Sequence, residues 1–333
     1  MIAKRNLSEQ SSPGDQKISV VLPVYNPNVT IMKTIYSIAT QSLLPNEVII
    51  VDDGSTSNKI NSILFRIKNI LKSKEILVRI IRSMHLGRAY AKNKGWKLAK
   101  SEIIVFIEDD AVYSQDYLKN ISRSFLDKSI VGAVGPYYVY QPKSFLEKMR
   151  NIERKFNFID YKPFNAWAYR RNTLNSLNGF DNTLNHGEDV DLGTRTKSAG
   201  YRIIFNNEAI WYHKEPERFT DFLKRRFIGG IGIYFLRKKH KKPIIDVRYT
   251  VILIGFISYI TALLFYPSLI LLCAVAPIVM HYRWIVNADQ VKESYLHILL
   301  ATYVNFLSIV ATFFGILYAL TNSNHALYLM RKN

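Results

Sequence analysis

At 333 residues, 48% of them hydrophobic, the chain is long enough for two domains and for a full α/β core. Its single cysteine, Cys273, excludes a disulfide scaffold within the chain and suits a cytosolic face. The formal charge of +19 comes with no nucleic-acid-binding motif, which argues against nucleic acid as the partner.

Residues 1–16 read as a loose polar tail without the apolar region of a cleaved leader. Ile18–Val24 is a continuous apolar run, the pattern of a strand buried on both faces. Thr30–Gln41 has helical spacing and Glu47–Val51 repeats the buried-strand pattern. Lys59–Lys72 places Ile60, Ile63, Leu64, Ile67, Ile70 and Leu71 on one helical stripe. A strand over Ile76–Ile81, a helix over Arg88–Ala99 and a strand over Glu102–Ile107 follow. This β-α-β alternation predicts a parallel, doubly wound, Rossmann-like α/β sheet. Beyond Asp110 the pattern loosens into a strand at Ile130–Gly135, helices at Ser144–Asp160 and Gly187–Ala199, and short strands at Tyr201–Phe205 and Ala209–His213.

Between Lys214 and Arg248 eleven Lys/Arg meet four Asp/Glu, a net of +7. Such a segment beside an apolar stretch marks the cytoplasmic side of a membrane and attracts anionic headgroups. Within it Thr220–His240 suits a helix in the membrane interface, with an ordinary amphipathic helix packed on the domain as the alternative. Tyr249–Met280 then holds 32 residues without a charged side chain, and Ser294–Leu320 is uncharged as well. About 20 apolar helical residues cross a bilayer core about 30 Å thick. Pro267 near the middle of the first stretch leaves one kinked helix or two short ones, hence two or three spans. The predicted organisation is a catalytic domain over 17–217, a basic segment over 218–248, membrane helices over 249–322 and a tail over 323–333. It describes an integral membrane protein with a cytoplasmic catalytic domain and a membrane-bound substrate or product.

Three acidic clusters fall at or near strand ends, where ligands of open α/β sheets sit. They are Asp52-Asp53, Glu108-Asp109-Asp110, and Glu188-Asp189 with Asp191 at the start of a predicted helix. Adjacent carboxylates repel, and they persist mostly where something positive neutralises them. One such cluster could be a solvated turn; three at strand ends point to a hard divalent cation with oxygen ligands.

Five ordered stretches carry a resemblance: LPVYN (Leu22–Asn26), VDDGST (Val51–Thr56), GRAYAKNKG (Gly87–Gly95), FIEDD (Phe106–Asp110) and NGFDNTLNHGEDVDLGTR (Asn178–Arg195). Over about residues 17–240 the chain resembles the family 2 glycosyltransferases of the GT-A fold. The resemblance implies that Pro23, Tyr25 and Asn26 line a nucleotide pocket and that Asp53 hydrogen-bonds the base of a UDP-, GDP- or dTDP-linked sugar. It puts Asp109 near the ribose and Asp110 on Mn2+ or Mg2+, with Glu108 at the first position of D-x-D and His213 as a further metal ligand. It makes Asp189, of the Glu188-Asp189 pair, the general base. Such chemistry breaks a glycosyl–phosphate bond with a cation stabilising the departing charge, while a carboxylate on the opposite face takes a hydroxyl proton and the anomeric centre inverts.

Lys92, with Arg88 and Asn93, either touches phosphate or caps and solvates a helix. Trp167 either stacks on a sugar or base or packs in the core. Arg225 and Arg226 either meet a diphosphate or lipid phosphate or simply contact headgroups. Glu188 is placed with these acceptor and diphosphate candidates. The chain departs from the family pattern at Pro27, His85, Lys92, Glu108 and Asn178, where relatives commonly carry Glu, Asn, Arg, Asp and Gly. The Q-x-x-R-W motif of processive synthases is missing; Leu223–Phe227 lacks its Gln and Trp. The expectation is a membrane-anchored, metal-dependent, inverting enzyme adding one sugar to a lipid-linked acceptor, a polyprenyl phosphate or lipid-linked glycan. Its rivals are a processive polysaccharide synthase and a catalytically silent GT-A membrane scaffold, the latter weakened by the presence of Asp110 and Asp189.

Overall fold

The computed structural model describes residues 16–184, 186–244, 278 and 281–332. The predicted tail at 1–15 and nearly all of the apolar stretch 249–280 lie outside them. In chain order the elements are β1 (Ile18–Val24), α1 (Ile31–Ala39), β2 (Glu47–Asp52), α2 (Ile60–Lys72), β3 (Leu77–Arg82), α3 (Arg88–Leu98), β4 (Ile103–Phe106), β5 (Ala111–Tyr113), α4 (Tyr117–Ser124), β6 (Ile130–Val134) and β7 (Tyr137–Val139). There follow α5 (Phe145–Asn157), β8 (Ala168–Arg170), α6 (Arg171–Ser176), α7 (Glu188–Ser198), β9 (Arg202–Phe205), β10 (Trp211–His213) and α8 (Phe219–Lys239). The last described helices are α9 (Tyr282–Val286), α10 (Ala288–Val291), α11 (Tyr295–Thr321) and α12 (Ser323–Lys332). The chain divides into two compact units, one of Met1–Tyr138 with Tyr161–Lys214, the other of Val139–Asp160 with Glu215–Asn333.

The first unit is built on a seven-stranded sheet of order β3-β2-β1-β4-β8-β6-β9. β1, β2, β3 and β4 run parallel, as the alternation predicts. Their residues divide between two cores by the two-residue period of a strand. Val20, Leu22 and Val24 pack with Ile31, Ile35 and Ile67 on one face, while Val21, Ile49 and Val51 pack with Ala91 and Trp96 on the other. A Cβ on Gly95 would come within 2.4 Å of Val21 Cγ1, so α3 lies close against β1 and its N-terminus is held over the strand ends. β8 is the exception to the parallel expectation, antiparallel to both β4 and β6. With three residues it is too short to show a period, and so are β5 and β7, which form a second sheet of order β5-β10-β7.

In the second unit the predicted span Ser294–Leu320 appears as α11, a 27-residue helix long and apolar enough to cross a bilayer by length and composition. Among the described residues it is the one helix that meets this description. α8 buries Phe222, Ile228, Gly230, Ile231, Gly232 and Tyr234 within this unit. A Cβ on Gly230 would lie 1.9 Å from the Thr312 carbonyl oxygen, and one on Gly315 would lie 2.0 Å from that of Phe227. The two helix backbones therefore touch, as small residues allow at close crossings. Gly229 has open space around its missing Cβ. Gly230→Ala is thus expected to destabilise this unit by about 1–3 kcal/mol through overpacking. Gly229→Ala is expected to be neutral or stabilising by about 1 kcal/mol on helix propensity. The midpoints of thermal unfolding of the two variants in detergent should fall on opposite sides of, or at least well apart about, the parent value.

Candidate functional site

The carboxyl ends of β1, β2 and β4 carry Tyr25-Asn26, Asp52-Asp53 and Glu108–Asp110, and the second sheet adds a distant residue to them. β10 pairs antiparallel with β5 so that His213 stands opposite Ala111, the neighbour of Asp110. His213 Nε2 lies 3.3 Å from Glu108 Oε2 and 3.3 Å from Asp110 Oδ1. One ligand atom from each of the three residues falls within 4.8 Å of the others. Two carboxylate oxygens and an imidazole nitrogen make a donor set that fits Mn2+ or Mg2+. Glu108, for all its longer arm, is part of this cluster. Asp109 beside it is half-buried, and burial together with the Asp110 charge pushes its carboxyl up to about 7 against the pull of Arg88. The loop is fixed by Thr34, whose hydroxyl donates to the Asp109 and Ala111 carbonyls, and by Tyr113 Oη, which accepts from the Glu108 N–H at 3.0 Å.

α7 begins at Gly187, whose φ of +81° suits glycine, and carries Glu188, Asp189 and Asp191 in its first turn. Negative side chains there complement the helix dipole. Lys92 Nζ donates to Glu188 Oε1 at 2.8 Å, with both side chains almost wholly buried, and the same ammonium lies 4.8 Å from the Trp167 ring centroid. Burial works against the Glu188 charge, but Lys92 and then Arg88 outweigh it and hold the carboxyl below its usual range. For Asp189 the balance is reversed: burial and then the Glu188 charge raise it, against Lys92 and a hydrogen bond from Asn165 Nδ2 to Oδ2 at 2.6 Å. Arg88 ties the two acidic groups together. Desolvation opposes its charge, while Glu188, Glu108, Asp189 and Asp109 act together to sustain it. Its side chain is nevertheless 58% exposed, with Nη1 3.8 Å from Glu108 Oε1.

Because Lys92 and Glu188 are buried together, removing one leaves the other uncompensated. Lys92→Met is expected to cost about 3–5 kcal/mol, more than the double variant Lys92→Met/Glu188→Met. Glu188 has a depressed folded-state pKa, so its contribution is present above the unfolded value of about 4.3 and is lost as the pH falls below it. Urea titrations of parent and double variant at neutral pH and near pH 3 check both signs; the parent should lose stability relative to the double variant in acid.

The remaining predicted residues differ in exposure and in what their polar atoms meet. Tyr25 is exposed and stacks on His85 with centroids 4.0 Å apart. Pro23 is half-buried opposite Val51. Asn26, at φ +45°, clamps the VDDGST turn: its N–H donates to Ser55 Oγ, and its Oδ1 accepts from the Thr56 and Ser57 N–H groups. Asp53 is buried and accepts from Leu86 N–H at 2.9 Å and Gly87 N–H at 3.0 Å, with His85 Nδ1 at 2.8 Å. Asp52 accepts from Arg82 Nε at 2.9 Å and serves strand-end geometry. Lys92 meets Glu188 and lies over the Trp167 and Phe180 rings. Asn93 is structural: its side chain donates to Phe180 O and Asn182 Oδ1 and accepts from Phe180 N–H and Trp96 Nε1. Trp167 is half-buried against both cores of the unit. Arg225 and Arg226 belong to the second unit, Arg225 exposed and Arg226 with its guanidinium 5.2 Å from the Phe222 ring centroid. Sequence reasoning missed Asn165, buried beside Asp189, and Tyr113; neither sits in a motif or a periodic pattern.

Two family models match the chain, Glycosyl transferase family 2 over residues 19–184 and Glycosyl transferase family group 2 over residues 103–322. The pre-mycofactocin glycosyltransferase of Mycobacterium tuberculosis is 25% identical over 240 residues, covering 66% of this chain and 47% of its own length. The chain thus spans about half of that curated relative. The O-antigen chain rhamnosyltransferase RfbN of Salmonella typhimurium is 23% identical over 235 residues, covering 65% of this chain and 72% of its own. Among solved structures, the mannosyltransferase PcManGT of Pyrobaculum calidifontis, in complex with GDP-Man and Mn2+, superposes with a TM-score of 0.62 at 18% identity, over 91% of each chain. The fold is that of the GT-A glycosyltransferases.

Proposed function

The chain belongs to the family 2 glycosyltransferases, and on that premise we propose that it moves one sugar from a nucleotide-sugar donor to a lipid-linked acceptor, with inversion, at a metal-dependent site anchored to a membrane. The observation that carries the reading is the convergence of Glu108, Asp110 and His213 within 4.8 Å. Glu108, Asp110 and His213 would hold Mn2+ or Mg2+, which when bound supplies positive charge to the departing nucleoside diphosphate. Asp189, raised above an ordinary carboxylate, takes the proton of an acceptor hydroxyl as the new glycosidic bond forms and the bond to the diphosphate breaks. Asn165 orients that carboxylate through its 2.6 Å hydrogen bond. Pro23, Tyr25 and Asn26 border the nucleotide, and Asp109 stands by the ribose.

The lipid acceptor and the anchor rest on chain organisation. In this reading 17–217 is catalytic and 218–248, with Arg225 and Arg226, meets anionic headgroups from the cytoplasmic side. Residues 249–322 would hold the chain in the bilayer, α11 among them. The test is incubation of the detergent-purified chain with Mn2+, membrane lipid extract and a panel of UDP-, GDP- and dTDP-sugars. One sugar appearing in the lipid fraction is the expected result. A ladder of products would point to a processive synthase, and no transfer from any donor would sink the reading.

A further inference from the structure

The resemblance implies that Asp53 meets the nucleobase, and the structure shows what its carboxylate holds. The Asp53 carboxylate is buried and already holds the Leu86 and Gly87 N–H groups and His85 Nδ1. Three of its about four acceptor sites are thus taken, and trading any of them for a base would loosen the loop that leads into α3. A Cβ on Gly54 would meet His85 N at 2.5 Å, so this loop and the VDDGST turn are in backbone contact and have no slack. His85 itself remains open: its side chain is 47% exposed. The Tyr25 ring fixes its plane, stacked at 4.0 Å and 18°.

The tautomer follows from the partners. His85 Nδ1 faces two acceptors, Asp53 Oδ2 at 2.8 Å and the Asp53 carbonyl oxygen at 3.1 Å, so the hydrogen of the neutral ring sits on Nδ1. Nε2, on the far side of the ring, is then a lone-pair acceptor, and among the described residues none takes it. We propose that His85 reads the base of the donor, its Nε2 accepting the ring N–H of a keto base, with Asp53 setting the tautomer and Tyr25 the ring plane. This rests on the nucleotide-sugar reading above. Uracil and thymine present N3–H and guanine presents N1–H, whereas cytosine N3 and adenine N1 would turn a lone pair toward a lone pair. The site is therefore built to favour UDP-, dTDP- or GDP-linked donors and to reject CDP- and ADP-linked ones by an unpaired acceptor.

Calorimetric titration of the full chain with UDP, dTDP, GDP, CDP and ADP in Mn2+ tests it, with inorganic pyrophosphate as a base-free probe. The parent is expected to bind at least one of UDP, dTDP and GDP about tenfold or more tighter than CDP or ADP. His85→Phe keeps a ring on Tyr25 but no nitrogen, and His85→Ala removes the ring; both should lose that preference while still binding pyrophosphate. His85→Asn, whose amide can donate inward and accept outward, should recover part of it. In transfer assays the change should fall on the donor KM more than on kcat. A keto-base preference that survives in either the Phe or the Ala variant, or a parent that prefers CDP or ADP, overturns the assignment to His85 alone. A parent that binds no nucleoside diphosphate overturns the glycosyltransferase reading with it.

Discussion

Asp110→Ala is expected to lower kcat for sugar transfer by about a hundredfold or more, with the Mn2+ dependence of the remaining rate weakened in parallel. Asp110 contributes one of the two carboxylates of the three-residue cluster and is its most exposed member, with 43% of the side chain open. Removing it leaves Glu108 and His213, too few protein donors to hold a hard cation firmly. Stabilisation of a departing charge by one fixed group is commonly worth about 10²–10³ in rate. The loss should be in kcat and in metal affinity, with the fold unaffected, because the Asp110 side chain reaches toward His213 and solvent and not into either core. Circular dichroism with Mn2+ titration of the activity separates these effects. An Asp110→Ala variant with the parent's rate and metal dependence would remove the metal site from the mechanism.

The second large effect concerns Asp189. If the acceptor is a hydroxyl, Asp189→Asn should lower kcat by about 10²–10⁴, the usual worth of a general base. Its carboxyl is raised first by burial and then by the charge of Glu188. The active, deprotonated form therefore appears at higher pH than for an exposed aspartate, whose value is about 3.9. The parent's kcat should rise with pH through that raised value, and the rise should be absent from the Asn variant. If the acceptor is a lipid phosphate, already ionised, the variant should keep most of its rate and the limb should be missing in both proteins. A pH–rate profile of parent and variant with each acceptor class decides between hydroxyl and phosphate. A variant that is slow while its pH limb is unchanged would assign the base to another residue.

Much of the catalytic unit was legible in the residues. Parallel strands buried on both faces read as unbroken apolar runs, so β1, β2 and β4 stood out, and α2 showed its stripe at helical spacing. The acidic clusters were visible because like charges in series seldom occur without a reason. What failed to show was short or long-range. β5, β7 and β8 have three residues each and form only because a distant strand is already in place. Asn165 and Tyr113 act through single hydrogen bonds to groups far away or around a turn, and no local pattern announces them.

The residues by themselves determined the α/β class and two uncharged stretches of membrane length, since these depend on composition and periodicity, while the family showed in its resemblance to five ordered motifs. Only the tertiary structure decided which polar residues find their partners inside the fold. Lys92, Asn93 and Asp52 stand in motifs of the same ordered set as Asp110 and Asp189, and their polar atoms are taken up by Glu188, by the Phe180 loop and by Arg82. The physical reason is that a buried polar group must find a partner wherever the packing puts one. That partner is set by strand register and loop closure, as when the pairing of β10 with β5 brings His213 to Glu108 and Asp110.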